Sequence, residues 1–218
     1  SATFSVDDTV GFRLSKTASL TLSYAQVAYA PDAIVSPTFA TDSPATPIFT
    51  TTSSSSVCEL VLDPNTSAPN GQIRVKGVGS CVVSVTIPNA PFYSTISATE
   101  TLVINKAQQA SLVITSANNV DYWSTMTPTA TGGSGTGALS FLVQGDCRII
   151  GTTLIPGNAG NACEITARRL GDANYLIADS DPMNLTINKI SQTPLRMANA
   201  NTAAMIDLAL FTSGGSGT

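Results

Sequence analysis

Histidine is absent from this 218-residue chain, and charged residues are scarce. Without histidine, neither a Ser-His-Asp nor a Cys-His catalytic arrangement can form. Asp, Glu, Lys and Arg make up 11% of the chain, against about 25% in an average soluble protein. The few basic residues are scattered and the net charge is −4, whereas nucleic acids and anionic membranes attract clustered Lys and Arg. The sequence therefore predicts a protein that is not an enzyme, needs no organic cofactor and binds no nucleic acid.

Long apolar runs are also missing. No stretch approaches the roughly 20 residues that a membrane helix needs, so we expect no membrane insertion in this segment. The first residues, Ser1-Ala2-Thr3-Phe4, lack the basic start and apolar core of a signal peptide, and there is no initiator Met. We expect the chain to be a mature product or a segment of a longer protein.

Strand signals dominate what is present. Residues 20–24, 72–76 and 111–115 alternate apolar and polar side chains, and Gly, Pro, Asn and Asp interrupt such runs. This alternation is typical of half-buried strands, and short strands separated by turn residues indicate an all-β sandwich. Asn70-Gly71 is a strong signal for a two-residue hairpin turn.

An internal repeat organises the chain. The order Cys81, Tyr93, Asn105-Lys106 recurs about 82 residues later as Cys163, Tyr175, Asn188-Lys189. The glycine-rich run 131–137 recurs in part at 213–218. We therefore predict four segments: 1–16 is the last strand of a preceding repeat, 17–106 and 107–189 are complete repeats, and 190–218 begins a further one. The short junctions at 106–110 and 189–194 favour a semi-rigid, rod-like array.

The four cysteines fall two per repeat. Zinc binding would require Cys-x-x-Cys spacing or histidine partners, and the chain has neither. We predict the disulfides Cys58–Cys81 and Cys147–Cys163, each stabilising by roughly 3 kcal/mol. Two buried free thiols per repeat are the alternative. Disulfides would place the protein in an oxidising compartment, outside the cell or at its surface.

Acidic residues and the only dense aromatic pair are candidate binding groups. Asp172, Asp179 and Asp181, with the Asn174 amide oxygen, offer the hard oxygen ligands that calcium prefers. Solvated turn residues are the alternative reading. Tyr122-Trp123 is either a sugar-binding platform or a packing element.

The tyrosines that follow each cysteine strand, Tyr93 and Tyr175, are predicted corner residues. Each should pack its ring and hydrogen-bond its hydroxyl to nearby backbone. The glycine-rich run lacks the Gly-Lys-Ser/Thr ending of a phosphate loop, so it is predicted to be a turn.

Three motifs together resemble a known family. They are the Gly-Gly-Ser-Gly-Thr-Gly turn at 132–137, Gly-Asp-Ala-Asn-Tyr at 171–175, and the closing Leu-Thr-Ile-Asn-Lys at 185–189. The combination resembles the bacterial immunoglobulin-like tandem repeats of large surface proteins and adhesins. The resemblance implies β-sandwiches of about 80–100 residues each, secreted and arrayed as a stalk.

Three functional hypotheses follow. The leading one is a structural module of an extracellular filament, stalk or adhesin shaft, whose partners are neighbouring repeats of the same chain. The second is a glycan- or surface-binding adhesive domain. The third is a filament subunit that polymerises with copies of itself by strand exchange.

Overall fold

The computed structural model describes residues 2–6, 12–197 and 212–213. Within these residues every regular element is a β-strand, so the prediction of an all-β protein is confirmed. No membrane-spanning helix occurs in this part of the chain. Most of the glycine turn that was predicted to recur at 213–218 lies outside the described residues.

The described residues form two compact units. Unit 1 comprises those within 1–111 together with two returning segments, 133–138 and 169–178. Unit 2 comprises those within 112–132, 139–168 and 179–218. The repeat boundaries given above stay predictions.

Unit 1 contains the first twelve strands. In chain order they are β1 (Ala2–Val6), β2 (Phe12–Thr17), β3 (Leu20–Ser23), β4 (Val27–Ala28), β5 (Ile34–Val35), β6 (Thr38–Thr41), β7 (Ile48–Thr51), β8 (Cys58–Leu62), β9 (Pro69–Val75), β10 (Gly79–Ile87), β11 (Tyr93–Ser94) and β12 (Ile96–Asn105).

The core of unit 1 lies between two sheets. One sheet has the order β4-β12-β10-β7, and the other has the order β5-β9-β8. Alternate residues of β10 are fully buried because successive side chains of a strand point to opposite faces. The core side chains that are less than 2% exposed are Cys58, Ile73, Val75, Cys81, Val83, Val85, Ile87, Leu102 and Ile104. Burying each Val, Leu or Ile side chain of this core contributes about 1.5–3 kcal/mol to the stability of the fold.

Asn70-Gly71 does not form the predicted hairpin turn. Both residues lie inside β9, where the pairing with β8 shifts register between Leu60 and Leu62. The hairpin turn is instead at residues 63–68, where the Asp63 carboxylate accepts the backbone N–H of Asn65 at 2.8 Å. Pairing with β8 therefore overrides the local turn preference, and the freedom of glycine at φ 84° is used in the bulge.

Unit 2 contains the remaining strands, except that Arg169 and Ala178, each at one end of a strand, belong to unit 1. They are β13 (Leu112–Ile114), β14 (Asn119–Asp121), β15 (Ala130–Gly132), β16 (Leu139–Gly145), β17 (Cys147–Ile150), β18 (Thr153–Pro156), β19 (Cys163–Arg169), β20 (Ala178–Asp179), β21 (Met183–Asn188), β22 (Arg196–Met197) and β23 (Thr212–Ser213).

A sheet of order β14-β21-β19-β16 supplies most of the core of unit 2, with β20 paired to β19. The hairpin β17–β18 supplies the rest. The buried side chains of this core are Val120, Leu154, Cys163, Ile165, Leu185 and Ile187.

Candidate functional site

Both predicted disulfides are present. Cys58 on β8 is bonded to Cys81 on β10, which joins the two sheets of unit 1 across its core. Cys147 on β17 is bonded to Cys163 on β19 in unit 2. The described chain holds no free cysteine, so the alternative of buried thiols is excluded.

A second feature is a segment of unit 1 that other loops hold in place. We call residues 106–110 the clasped segment and residues 171–176 the tyrosine loop. The backbone N–H of Ala107 donates to Asn174 O at 3.0 Å, and the N–H of Leu176 donates to Ala107 O at 2.9 Å. Lys106 Nζ donates to Asp172 O at 2.5 Å. The segment is therefore paired to the loop through both backbone and side chain.

Gln109 is the residue that connects the clasped segment to the most partners. Its amide nitrogen Nε2 donates to Leu170 O at 3.1 Å and to Leu176 O at 2.7 Å. Its Oε1 accepts the backbone N–H of Gly135 at 3.1 Å. One side chain thus satisfies backbone groups on two separate loops. The sequence-based reasoning missed it.

Residues 133–138, which include most of the glycine-rich run, form a bent connection between β15 and β16, whereas Thr131 and Gly132 of the predicted turn belong to β15. This connection closely approaches residues 169–172. A Cβ added at Gly137 would lie 1.9 Å from Leu170 O. One added at Gly135 would lie 2.7 Å from Asp172 Oδ2. Because Leu170 O is a backbone atom and real Cβ atoms do not approach other atoms so closely, the contact at Gly137 requires glycine.

Asp172 organises the tyrosine loop. Its Oδ1 accepts the backbone N–H groups of Asn174 and Tyr175, both at 2.9 Å. Its Oδ2 accepts the backbone N–H of Thr136 at 2.7 Å and the Thr136 hydroxyl at 3.2 Å. The Thr136 and Asn174 N–H groups lower the pKa of the Asp172 carboxyl to about 2, because they bind its charged form.

The predicted calcium ligands have other partners. Asp172 is saturated by the hydrogen bonds above, and Asn174 Oδ1 accepts the backbone N–H of Val78 at 3.0 Å. In unit 2, both carboxylate oxygens of Asp179 accept from Arg168 at 2.7 Å. Asp181 is exposed. No three acidic, cysteine or histidine side chains in the described ranges lie close enough to hold a metal ion. Calcium binding stays a prediction, and these contacts do not favour it.

The corner tyrosines pack as predicted, but the backbone-bound hydroxyl belongs to another residue. The Tyr175 ring meets the Tyr29 ring edge to face, with centroids 5.4 Å apart. The Tyr93 ring lies 5.6 Å from Lys16 Nζ. The buried hydroxyl that donates to backbone is that of Tyr24, 2.5 Å from Gly71 O, and burial raises its pKa to about 12.

Tyr122 and Trp123 form an outward-facing turn of unit 2. Ser124 N donates to Asp121 O at 3.0 Å across the turn. Trp123 has φ 67° and its side chain is 80% exposed, while Tyr122 packs partly on the core. A bulky residue with positive φ is strained. The predicted role of Tyr122 and Trp123 in sugar binding stays a prediction.

In unit 1, two sheets enclose one core and are joined by a disulfide, which is the arrangement of an immunoglobulin-like β-sandwich. No protein-family model and no curated protein matches the chain.

Solved structures that match the chain at low identity include immunoglobulin and cadherin domains. Tandem Ig repeats of Dlar match at 15% identity and TM-score 0.27, covering 79% of this chain and 98% of that one. Human protocadherin-24 EC1-2 matches at 12% identity and TM-score 0.32, covering 68% of this chain and 84% of that one. Murine CEACAM1b matches at 15% identity and TM-score 0.34, covering 79% of this chain and all of that one, 100%. Likeness at this level carries no argument about function.

Changing Gln109 to Glu should loosen the clasped segment. The variant keeps the size of the side chain but replaces an amide donor with a carboxylate, which would face the Leu170 and Leu176 carbonyl oxygens. We expect a local loss of about 1–3 kcal/mol, the usual cost of unsatisfied polar groups. Amide hydrogen exchange at Gly135 and Leu176 measures it. Gln108→Glu, the same charge change at an exposed neighbour, is the control. Equal exchange in the two variants would contradict the role of Gln109.

The tyrosine loop should weaken in acid. Since the folded pKa of Asp172 lies near 2, below the ordinary 3.8, its stabilisation is complete above about pH 4 and is lost as the pH falls through 2. Loop opening, followed by the NMR shifts of Thr136 and Tyr175, should increase across this range. Asp172→Asn should remove this pH dependence. If the pH dependence of loop opening is unchanged in Asp172→Asn, other carboxyl groups cause the acid transition.

Proposed function

We propose that this chain is a structural module of an extracellular stalk, filament or adhesin shaft built from immunoglobulin-like repeats, of the kind found in bacterial surface proteins. The observation that carries the proposal is the clasped segment. The repeat pattern places residues 106–110 where one predicted repeat ends and the next begins. Hydrogen bonds made by Lys106, Ala107 and Gln109 hold this segment within unit 1, which supports a held junction over a flexible linker.

The two disulfides support the same proposal. Each crosslinks a small β core and limits how far its chain can extend when pulled. Disulfides persist in oxidising compartments, which supports a location outside the cell or at its surface. In this proposal the partners are neighbouring repeats of the same protein.

Labelling of intact source cells tests the proposal. Antibodies raised against the folded chain should bind cells that have not been permeabilised, and immunogold electron microscopy should place the label along a projecting structure. Mild protease treatment of intact cells should remove the label. Labelling that appears only after permeabilisation would contradict the proposal. Adhesion to glycan and polymerisation by strand exchange stay predictions.

A further inference from the structure

The last long strand of each unit ends in the same arrangement. In unit 1, β4 pairs in parallel with the end of β12, and the Tyr29 N–H donates to Asn105 O at 2.8 Å. In unit 2, β14 pairs in parallel with the end of β21, and the Tyr122 N–H donates to Asn188 O at 3.0 Å. Tyr122 therefore occupies the place of Tyr29.

The residues that follow correspond as well. Asn105-Lys106 matches Asn188-Lys189, so Ile190 holds the position of Ala107. Gln192 holds the position of Gln109, because both lie three residues after the lysine. Each side chain that binds the tyrosine loop in unit 1 thus has a counterpart at the end of β21.

In unit 1 this position is occupied. The tyrosine loop covers it, with Tyr175 packed on the Tyr29 ring. Ala107 is bridged to Tyr175 in parallel and is only 9% exposed. Lys106 and Gln109 donate to carbonyl oxygens of the loop or its flank.

Unit 1 also contains a related pairing in which the lysine itself, and not the residue after it, lies opposite the tyrosine. The end of β2 pairs in parallel with β11, with Lys16 opposite Tyr93. The Lys16 N–H donates to Phe92 O at 2.7 Å. A strand end containing lysine therefore receives a tyrosine segment in two places of the same molecule.

No described segment covers the counterpart on unit 2. Ile190 is 42% exposed, where Ala107 is buried. Gln192 is exposed, where Gln109 is half-buried, and no strand of the described chain pairs with residues 189–190. Trp123, the residue after Tyr122, has an exposed side chain in a strained backbone conformation, and its ring centroid lies 5.7 Å from that of Tyr122.

We propose that the surface formed by Tyr122, Trp123, Lys189, Ile190 and Gln192 binds the tyrosine loop of a further repeat. The incoming tyrosine packs edge to face on Tyr122, and Trp123 adds an apolar wall. The loop backbone pairs with Ile190, and Gln192 donates to its carbonyl groups. The inference rests on the proposed function, since a further repeat supplies the loop.

An extended chain tests the inference. A second copy of residues 110–189 is joined directly after Gln192, which preserves Ile190 and the spacing seen after Lys106. We expect the Ile190 amide to exchange with solvent about tenfold or more slowly than in the 218-residue chain. We expect the Leu176 amide of the added copy to exchange about tenfold or more slowly than in an isolated loop peptide. With Trp123 of the added copy changed to Phe, the fluorescence of the remaining Trp123 should shift to shorter wavelength as its ring is covered.

Matched variants separate docking from folding. Changing Tyr175 to Ala in the added copy alone should restore fast exchange at Ile190. Changing Tyr122 to Ala in the original copy alone should do the same. Slow exchange of Ile165 and Ile187 in the added copy reports that it has folded. A folded copy with Ile190 still exchanging as in the 218-residue chain would overturn the inference, while cell labelling still tests the stalk independently. Saturable binding of a chitin or cellulose hexasaccharide at Trp123, without protection of Ile190, would also overturn it.

Discussion

Removing the Cys58–Cys81 disulfide by a double change to Ala is expected to lower the free energy of unfolding of unit 1 by about 2–5 kcal/mol. Two effects contribute. The crosslink closes a loop with a sequence separation of 23, which restricts the unfolded chain. Both sulfurs also lie in the centre of the core, where Cys58 is 1% and Cys81 0% exposed, so their removal leaves a cavity. Since domains are stable by only about 5–15 kcal/mol, the loss is a large fraction of the total.

Native-state hydrogen exchange of the Val83 and Val85 amides on β10 measures this loss within unit 1. Reduction of the unchanged protein keeps both sulfurs, so the difference between the reduced protein and the double variant reports the cavity alone. The matched variant changes Cys147 and Cys163 to Ala. These cysteines close a shorter loop with a sequence separation of 16, and Cys147 is less buried than Cys58 or Cys81. It should destabilise unit 2 by less. A loss below about 1 kcal/mol at β10 would contradict the expected role of the Cys58–Cys81 bond.

The features that could be predicted from the sequence are those set by periodicity and spacing. Alternation over residues 20–24, 72–76 and 111–115 indicated strands, because a strand repeats every two residues, and β3, β9 and β13 lie there. The placement of two cysteines in each repeat, with no histidine, indicated the disulfides. The repeated Asn-Lys and tyrosine landmarks indicated matching strand ends, and β12 and β21 do end alike.

Non-local contacts could not be predicted in the same way. The glycine run was identified as a turn, but its contact with residues 169–172 depends on how distant segments pack. Gln109 was missed although a signal existed, since Gln109 and Gln192 share the same spacing from Lys106 and Lys189. The bulge at Gly71 and the Tyr24 hydroxyl contact also belong to tertiary packing, which local turn preferences do not encode.

The contact between the glycine turn and residues 169–172 leads to the second large expected effect. In Gly137→Ala, the added methyl group would lie 1.9 Å from Leu170 O and 2.6 Å from Leu170 C. Both are backbone atoms, so no side chain can rotate away. The surrounding bonds also resist movement, because Leu170 N donates to Ala138 O at 3.0 Å and Arg169 Nη1 donates to Gly137 O at 3.1 Å. We expect a local cost of about 1–3 kcal/mol from overpacking.

The consequence should extend to the clasped segment while the core of unit 1 stays intact. If residues 133–138 move away, Asp172 loses the Thr136 donors and Gln109 loses the Gly135 N–H. Exchange at Gly135, Thr136 and Leu170 should then accelerate by about tenfold or more, since 1.4 kcal/mol corresponds to a factor of ten, while Val83 stays protected. Gly151→Asn is the control, because Gly151 has open space around it and φ 62°, which asparagine tolerates. Unchanged exchange in Gly137→Ala would mean that the turn does not need its close approach to hold the clasped segment.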